Sequence, residues 1–128
     1  MRYTDEMSHA RQALGRTAED AAAAFLERRG LTVIGRNVRF AEGEIDLVCR
    51  DGRALVFVEV KCRHARWGEA PGAAVSLAKQ RRLVRLAQHY LKWKALDNAP
   101  CRFDVVAVTI ENNGTATVRH LPAAFDAS

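Results

Sequence analysis

The stretch Gly43–Lys61, GEIDLVCRDGRALVFVEVK, narrows the possible folds more than any other part of the chain. Two runs that alternate apolar and polar residues flank the pair Asp51-Gly52, and this arrangement favours a two-residue hairpin loop. With that loop, Glu44 lies opposite Glu59 across the two strands. The stretch therefore predicts an antiparallel β-hairpin with a defined register.

The two faces of the predicted hairpin differ in chemistry, because successive side chains of a strand point to opposite faces. One face is apolar and consists of Ile45, Leu47, Cys49, Val56, Val58 and Val60. The other face carries Val48, Leu55 and Phe57 together with Glu44, Asp46, Glu59 and Lys61. Asp46 lies opposite Phe57 in this register and diagonal to Glu59, so the two carboxylates can approach one cation. The alternative is a face that is simply solvated.

The rest of the chain predicts the element order αβββαββ. Helical spacing of apolar residues covers residues 10–29 and 75–94. Segments rich in β-branched residues predict strands near 31–40, 101–110 and 115–121. We therefore expect an α/β fold with a mixed central β-sheet flanked by helices.

The chain length of 128 residues suits one domain with a substantial core. Residues 1–9 are predicted to form a flexible arm, 10–122 the domain and 123–128 a short polar tail. The sequence contains neither the ~20-residue apolar run of a membrane span nor a secretory signal, so we expect a cytoplasmic protein without a membrane partner. Twenty basic against 15 acidic residues give a net charge of +5, which favours an anionic partner, with nucleic acid first.

Two carboxylates beside a lysine indicate a particular chemistry. Asp46 and Glu59 offer the hard oxygen ligands that suit Mg²⁺ or Mn²⁺, and these ions also bind substrate phosphate oxygens. The Lys61 ammonium can orient an attacking water or stabilise charge in the transition state. The hairpin therefore predicts a site for phosphodiester hydrolysis.

Two helical segments can add polar groups to this site. Glu19 lies in one row with Ala22 and Leu26, so it can look inward from the first helix. Lys79 and Gln80 extend the apolar stripe of the second helix at its N-terminal end. An ordinary surface glutamate and a lysine extended into solvent are the alternatives for Glu19 and Lys79.

The combined motifs resemble a known family. Asp46 followed by Glu59-Val60-Lys61 resembles the D…ExK core of the PD-(D/E)XK nuclease superfamily, whose fold is restriction-endonuclease-like. More narrowly, GRTAEDAAAAFLERRGLTVIGRNVRF, GEIDLV, VFVEVK and KQRRLVRLAQHYL resemble the YraN-like family of uncharacterised proteins. That family is itself similar to Holliday-junction resolvases. The resemblance covers about residues 13–110.

The resemblance implies roles for individual residues. Asp46 and Glu59 match metal-binding acids, the Val60 carbonyl matches a backbone ligand, and Lys61 matches the lysine that positions water. Glu19 matches the first-helix glutamate of resolvase-like proteins, and Lys79 and Gln80 match residues near the scissile phosphate. Glu44 also matches an acid of the family, and it ranks below Asp46 and Glu59 because a strand-end position permits a solvated role.

A DNA-contacting surface is expected beside this site, because arginine and lysine supply phosphate contacts. Its candidate members are Arg63, His64, Arg66 and Trp67 in the loop and Arg81, Arg82 and Arg85 on the second helix. A solvated helix face is the alternative for the arginines. For Trp67, anchoring of the loop is favoured over stacking on an unpaired base.

The leading hypothesis is a Mg²⁺- or Mn²⁺-dependent endonuclease-like protein that hydrolyses DNA, with branched or damaged DNA as candidate substrates. One alternative is a nucleic-acid-binding module of the same fold with little or no cleavage activity. Another is a protein-interaction domain. The resemblance to resolvases, which cut two strands, adds the expectation of a homodimer.

Overall fold

The computed structural model describes the backbone of residues 3–67 and 75–127 and the side chains of residues 13–66 and 75–127. The elements are α1 (Tyr3–Arg28), β1 (Thr32–Phe40), β2 (Gly43–Asp51), β3 (Ala54–His64), a 3₁₀ turn (Ala65–Trp67), α2 (Leu77–Trp93), β4 (Cys101–Ile110) and β5 (Ala116–Phe125). The predicted order αβββαββ is confirmed. Helix α1 begins earlier than residue 10, and β5 continues to Phe125, beyond the predicted end of the last strand.

One five-stranded sheet carries the fold, in the order β1-β2-β3-β4-β5. Strands β3 and β4 are parallel, and the other neighbouring pairs are antiparallel. Helix α2 connects the two parallel strands, which is the connection that a parallel pair requires. The sheet is therefore mixed, as the sequence predicts.

Each face of the sheet packs against one helix. Helix α1 contributes Ala18, Ala22 and Leu26 to an apolar cluster with alternate residues of β2, β3 and β4. Helix α2 contributes Leu83, Leu86, Ala87 and Tyr90 to a second cluster on the opposite face. The helical stripes expected from the sequence supply both clusters. Among the described helices, none is long and apolar enough to span a membrane.

The hairpin exists, but the predicted register is wrong. Asp51 pairs with Ala54, so the loop residues are Gly52 and Arg53. Gly52 has a φ of +61° at the first loop position, where a two-residue loop of this kind needs glycine. Val48 consequently lies opposite Phe57, and the predicted pairs of Asp46 with Phe57 and Glu44 with Glu59 are not formed.

The division of the hairpin into two faces holds for most residues. Leu47, Cys49, Val56 and Val58 belong to the α1 cluster with the partly buried Val60, and Val48, Leu55 and Phe57 belong to the α2 cluster. Ile45 departs from the prediction, because it is buried in the α2 cluster rather than beside Leu47. The alternation is therefore interrupted at Asp46.

A break in strand pairing accounts for this interruption. The paired residues of β2 and β3 run only from Leu47 with Val58 to the loop, whereas β2 continues to pair with β1 as far as Gly43. Opposite Asp46 on β1, Asn37 has a φ of +50°, a left-handed conformation that is uncommon outside glycine. Strand β2 thus leaves β3 at Asp46, and a gap opens between the two strands.

Candidate functional site

Asp46 fills the gap between β2 and β3. Its Oδ2 atom accepts the backbone N–H of Val60 on β3 at 2.8 Å. A backbone N–H that loses its strand partner needs another acceptor, and here a carboxylate oxygen replaces the missing carbonyl. The position of the Asp46 side chain is therefore fixed by the same break that opens the sheet.

Three carboxylates meet at this gap. Glu19 from α1 and Glu44 and Asp46 from β2 each offer an oxygen, and these oxygens all lie within 4.8 Å of one another. All three residues are half-buried. The oxygens are close enough for carboxylates to share one divalent cation, although exposed acids also cluster without one.

The electrostatics of the group favour a cation. Burial and the charges of Glu59, Glu19 and Glu44 together raise the pKa of Asp46 from 3.8 to about 7, against the opposing effect of the hydrogen bond from Val60. A carboxyl group with this pKa is protonated in about half of the molecules at neutral pH. A divalent cation at the group would offset the repulsion and displace this proton.

Glu59 lies beside the three acids without belonging to their group. Burial raises its pKa, and the positive charges of Lys79, Arg82 and Lys61 lower it. Glu59 is near enough to Asp46 to be the strongest charge acting on the Asp46 pKa. The two acids predicted as metal ligands are therefore neighbours, but the compact group contains Glu44 in the place where the sequence predicts Glu59.

The remaining predicted residues of the site surround these acids. Lys61 is half-buried on β3, in register with Ala107 of β4. Lys79 is exposed, and its backbone N–H donates to the Ser76 Oγ that caps α2 at 3.2 Å. Gln80 is half-buried, and its Nε2 donates to the Val75 carbonyl at 2.9 Å, so its amide is engaged locally.

The predicted DNA-contacting residues divide into two groups. On α2, Arg81, Arg82 and Arg85 are exposed, and Arg85 Nε donates to Glu42 Oε2 at 2.9 Å. After β3, Arg66 is exposed and its backbone N–H donates to His64 Nδ1 at 3.2 Å. Arg63 is half-buried, and its Nη2 atom is buried with no hydrogen-bond partner among the residues that the structure describes. The Trp67 side chain lies outside the described residues.

Two ion pairs near the site were not predicted from the sequence. Arg39 Nε donates to Glu44 Oε2 at 3.0 Å, which links the exposed end of β1 to the acid group. Glu42 accepts from Arg85 and lies 3.0 Å from His89 Nε2, so it connects the β1–β2 turn to α2. No local pattern in the sequence indicates the first pair, because it depends on the register of β1 with β2, in which Arg39 lies opposite Glu44.

The fold and the site together define the class of protein: an α/β protein with a mixed sheet, two helices and an acidic group where two strands separate. The model of the uncharacterised protein family UPF0102 matches residues 18–108, and the chain belongs to this family, the YraN-like family that its motifs resemble. A UPF0102 protein of Symbiobacterium thermophilum is 51% identical over 89% of this chain and 97% of its own length. Another, from Syntrophotalea carbinolica, is 46% identical over 94% of this chain and 97% of its own length.

A solved structure, that of Pyrococcus furiosus SfsA in complex with Ca²⁺, is similar with a TM-score of 0.46 and 21% sequence identity. The match covers 81% of this chain and 62% of SfsA, so the chain spans less than two thirds of that protein.

Proposed function

We propose that this protein is a Mg²⁺- or Mn²⁺-dependent endonuclease-like protein that hydrolyses phosphodiester bonds of DNA, with branched or damaged DNA as its substrate class. The observation that carries the proposal is the meeting of three carboxylates within 4.8 Å of one another, beside a strand that bears Glu59 and Lys61. Hard oxygen ligands of this kind suit these cations and leave room for a substrate phosphate.

The acids have distinct roles in the proposed reaction. Glu19, Glu44 and Asp46 would hold the cation, with Glu59 and the Val60 carbonyl as further ligands. The cation would supply positive charge that polarises the phosphate and activates water for attack. The Val60 N–H holds the Asp46 carboxylate in place, which is a positioning role.

The bases beside the acids complete the site. The Lys61 ammonium would orient the attacking water and stabilise negative charge that develops at phosphorus. Lys79 and Arg82, which lower the pKa of Glu59, would contact the phosphates that flank the scissile bond. Gln80 would contribute through its second amide N–H or its carbonyl oxygen, because one N–H is bonded to the Val75 carbonyl. Arg63, Arg66, Arg81 and Arg85 would extend the phosphate contacts along the strand.

A cleavage panel tests the proposal. Four-way junctions, flaps, gapped duplexes and linear duplexes of equal length are incubated with Mn²⁺ and the wild-type protein, Asp46→Ala or Glu59→Ala. Cleavage that needs the cation and disappears in both variants supports the proposal. Absence of cleavage of every DNA in Mg²⁺ and Mn²⁺, together with salt-sensitive binding, contradicts it.

The second outcome corresponds to another candidate function, a nucleic-acid-binding module without cleavage activity. One observation favours it: Glu59 lies outside the compact acid group. A steep fall in affinity with salt is expected in that case, because phosphate contacts release counterions. If no nucleic acid binds, a protein-interaction domain is the remaining candidate.

A further inference from the structure

A shallow apolar depression lies where the end of β1 meets the C-terminal turn of α2. Its volume is about 710 Å³, and its lining residues are Val38, Arg39, Phe40, His89, Lys92 and Trp93. Trp93 is 62% exposed, although it is among the largest apolar side chains of the protein. An exposed tryptophan at an apolar depression is a common sign of a binding site.

Aromatic contacts hold the depression in shape. The Phe40 ring stacks on His89 with a centroid distance of 5.8 Å and meets Trp93 nearly at a right angle at 6.2 Å. Tyr90, which is buried in the α2 cluster, also meets Trp93 nearly at a right angle, at 5.8 Å. Among the described residues, no aromatic ring lies parallel to Trp93. The neighbours therefore hold the indole while 62% of the residue stays exposed, with Lys94 lying over one ring face.

The surroundings of the depression are basic. Arg39 and Lys92 line it, and the Lys94 ammonium lies 4.1 Å from the centre of a Trp93 ring. The nearby acids are already paired, since Glu44 binds Arg39, and Glu42 binds Arg85 and contacts His89. An anionic ligand with a flat aromatic group thus matches both the charge and the shape.

The depression is connected to the acid group through one ion pair. Arg39 lines the depression and binds Glu44 at 3.0 Å, and Glu44 lies within 4.8 Å of the carboxylate oxygens of Asp46 and Glu19. A nucleic acid strand with a phosphate at the acids could thus reach the depression with a nearby nucleotide.

We propose that the depression binds an unpaired base of a DNA strand, stacked on Trp93, while Arg39, Lys92 and Lys94 contact the backbone. The proposal rests on the proposed function for its choice of ligand, and it narrows the substrate class to DNA with an unpaired nucleotide beside the scissile phosphate. Loss of one stacked base weakens binding by about 5- to 150-fold in single-strand-binding proteins. Such a site would distinguish branched or gapped DNA from continuous duplex.

Binding without a divalent cation tests this proposal separately from cleavage. Affinities for an oligothymidylate and for a continuous duplex are measured in EDTA by fluorescence anisotropy. Trp93→Ala should weaken oligothymidylate binding about tenfold, as expected for the loss of one stacked base. Trp93→Phe should retain most of the affinity, and the duplex affinity should change less than twofold. Leu96→Ala is the matched control, because Leu96 is 41% exposed near the same helix end and does not line the depression.

Tryptophan fluorescence gives an independent measurement. Trp93 is the only tryptophan left in Trp67→Phe, because the chain contains two. Oligothymidylate should quench its emission, and the same oligonucleotide with abasic sites should not. Thermal unfolding of each variant shows whether the loss of the Tyr90 contact has destabilised the fold.

The outcomes separate the two proposals. Equal oligothymidylate affinity of Trp93→Ala and wild type overturns the base-binding site, whereas metal-dependent cleavage by both would leave the nuclease function intact. Trp93→Ala could instead convert a dimer to a monomer in sedimentation and leave DNA affinity unchanged. The depression would then be a contact between copies of the chain, and this result also overturns the proposal. Base binding without cleavage under any condition upholds this site and contradicts the nuclease.

Discussion

The Asp46 carboxylate accepts the backbone N–H of Val60 across the gap between β2 and β3. One side chain thus replaces a strand contact and also joins Glu19 and Glu44 in the acid group. Stability and chemistry are coupled at this residue, because the hydrogen bond favours its charged form while burial and three neighbouring acids disfavour it.

Asp46→Asn should stabilise the cation-free protein at pH 8. The pKa of Asp46 is raised from 3.8 to about 7, so the wild-type carboxylate destabilises the folded state as the pH rises through this range. Asparagine keeps an acceptor for the Val60 N–H without the charge. In thermal unfolding, a gain of about 5 °C at pH 8 that shrinks toward pH 4 is expected. A gain that is equal at both pH values would contradict the assigned cause.

A divalent cation should reverse this order at pH 8. Mn²⁺ should raise the melting temperature of the wild-type protein, because a ligand bound to the folded state stabilises it. Asp46→Asn should gain less, and calorimetry in buffers of different ionisation enthalpy should detect proton release on binding to wild type near pH 7. An identical response of the two proteins would exclude Asp46 as a ligand.

Lys61→Ala should separate DNA cleavage from DNA binding. If the ammonium stabilises the transition state, its loss should lower the single-turnover cleavage rate by about 100-fold or more. The dissociation constant for the same DNA should change by about threefold or less, because many other basic side chains would still contact the backbone. Arg53→Ala in the exposed hairpin loop is the control for charge loss. If DNA affinity and cleavage rate fall by the same factor, Lys61 acts only as a phosphate contact.

Asp104→Ala should strongly destabilise the protein. Asp104 is fully buried. It accepts two hydrogen bonds from Arg102 and one from the Ala123 backbone N–H, and its Oδ2 lies 2.7 Å from His120 Nε2. Its removal leaves these donors unpaired, and the breaking of a buried ion pair costs about 3–5 kcal/mol. Urea unfolding measures the loss, with Asp97→Ala as the exposed control. A loss below 1 kcal/mol would show that solvent replaces the network.

The Asp104 network also predicts how the stability of the fold depends on pH in the acid range. Burial acts to raise the pKa of Asp104, but the hydrogen bonds from Arg102 and His120 outweigh it, and the pKa lies below the ordinary 3.8. A lowered pKa stabilises the fold above the ordinary value, and this contribution is lost as the pH falls through the folded-state pKa. The destabilisation by Asp104→Asn should therefore diminish at the acid end of the unfolding series.

Two of the three cysteines, Cys101 and Cys49, should differ in reactivity because they differ in exposure. Burial raises the pKa of the Cys49 thiol to about 12, and Cys49 is fully buried. Cys101 is exposed, although burial of its thiol raises its pKa as well. A thiol reagent at pH 8 should label Cys101 first and Cys49 only after unfolding, because the thiolate is the reactive form. Mass spectrometry of the labelled peptides gives the order, and early labelling of Cys49 would indicate local opening of the core.

Periodicity was sufficient to predict the element order and most of the core. The alternation in β2 and β3 correctly separates Leu47 and Val58 from Val48 and Phe57, because burial of both faces leaves no freedom for a one-residue shift. The apolar stripes predicted for α1 and α2 are confirmed, because each helix packs against one face of the sheet.

The register was predicted wrongly because two different two-residue loops fit the same sequence. Asp51-Gly52 suits one loop type and Gly52-Arg53, with glycine first, suits another; the structure has the second, in which Asp51 pairs with Ala54. The reversal of Ile45 has a different origin. It follows the break at Asp46 and Asn37, which local alternation does not encode.

Only part of the arrangement of the candidate site could be predicted from the sequence, because the rest depends on the break between β2 and β3. Asp46 and Glu59 are neighbours although their predicted pairing is wrong, since both lie at the edge of the gap. The membership of Glu44 in the acid group depends on how far β2 diverges from β3, and its sequence position as a strand-end acid does not contain that information.

The attachment of β5 to β4 has a consequence for synthesis of the chain. Until residues 116–125 have emerged and paired, Asp104 retains its ion pair with Arg102 but lacks His120 and the Ala123 N–H. A partly synthesised chain would therefore carry an incompletely satisfied carboxylate in its core, which opposes closure of that core. We therefore expect closure of this core to require residues 116–125, because β5 supplies the last two partners of the Asp104 carboxylate.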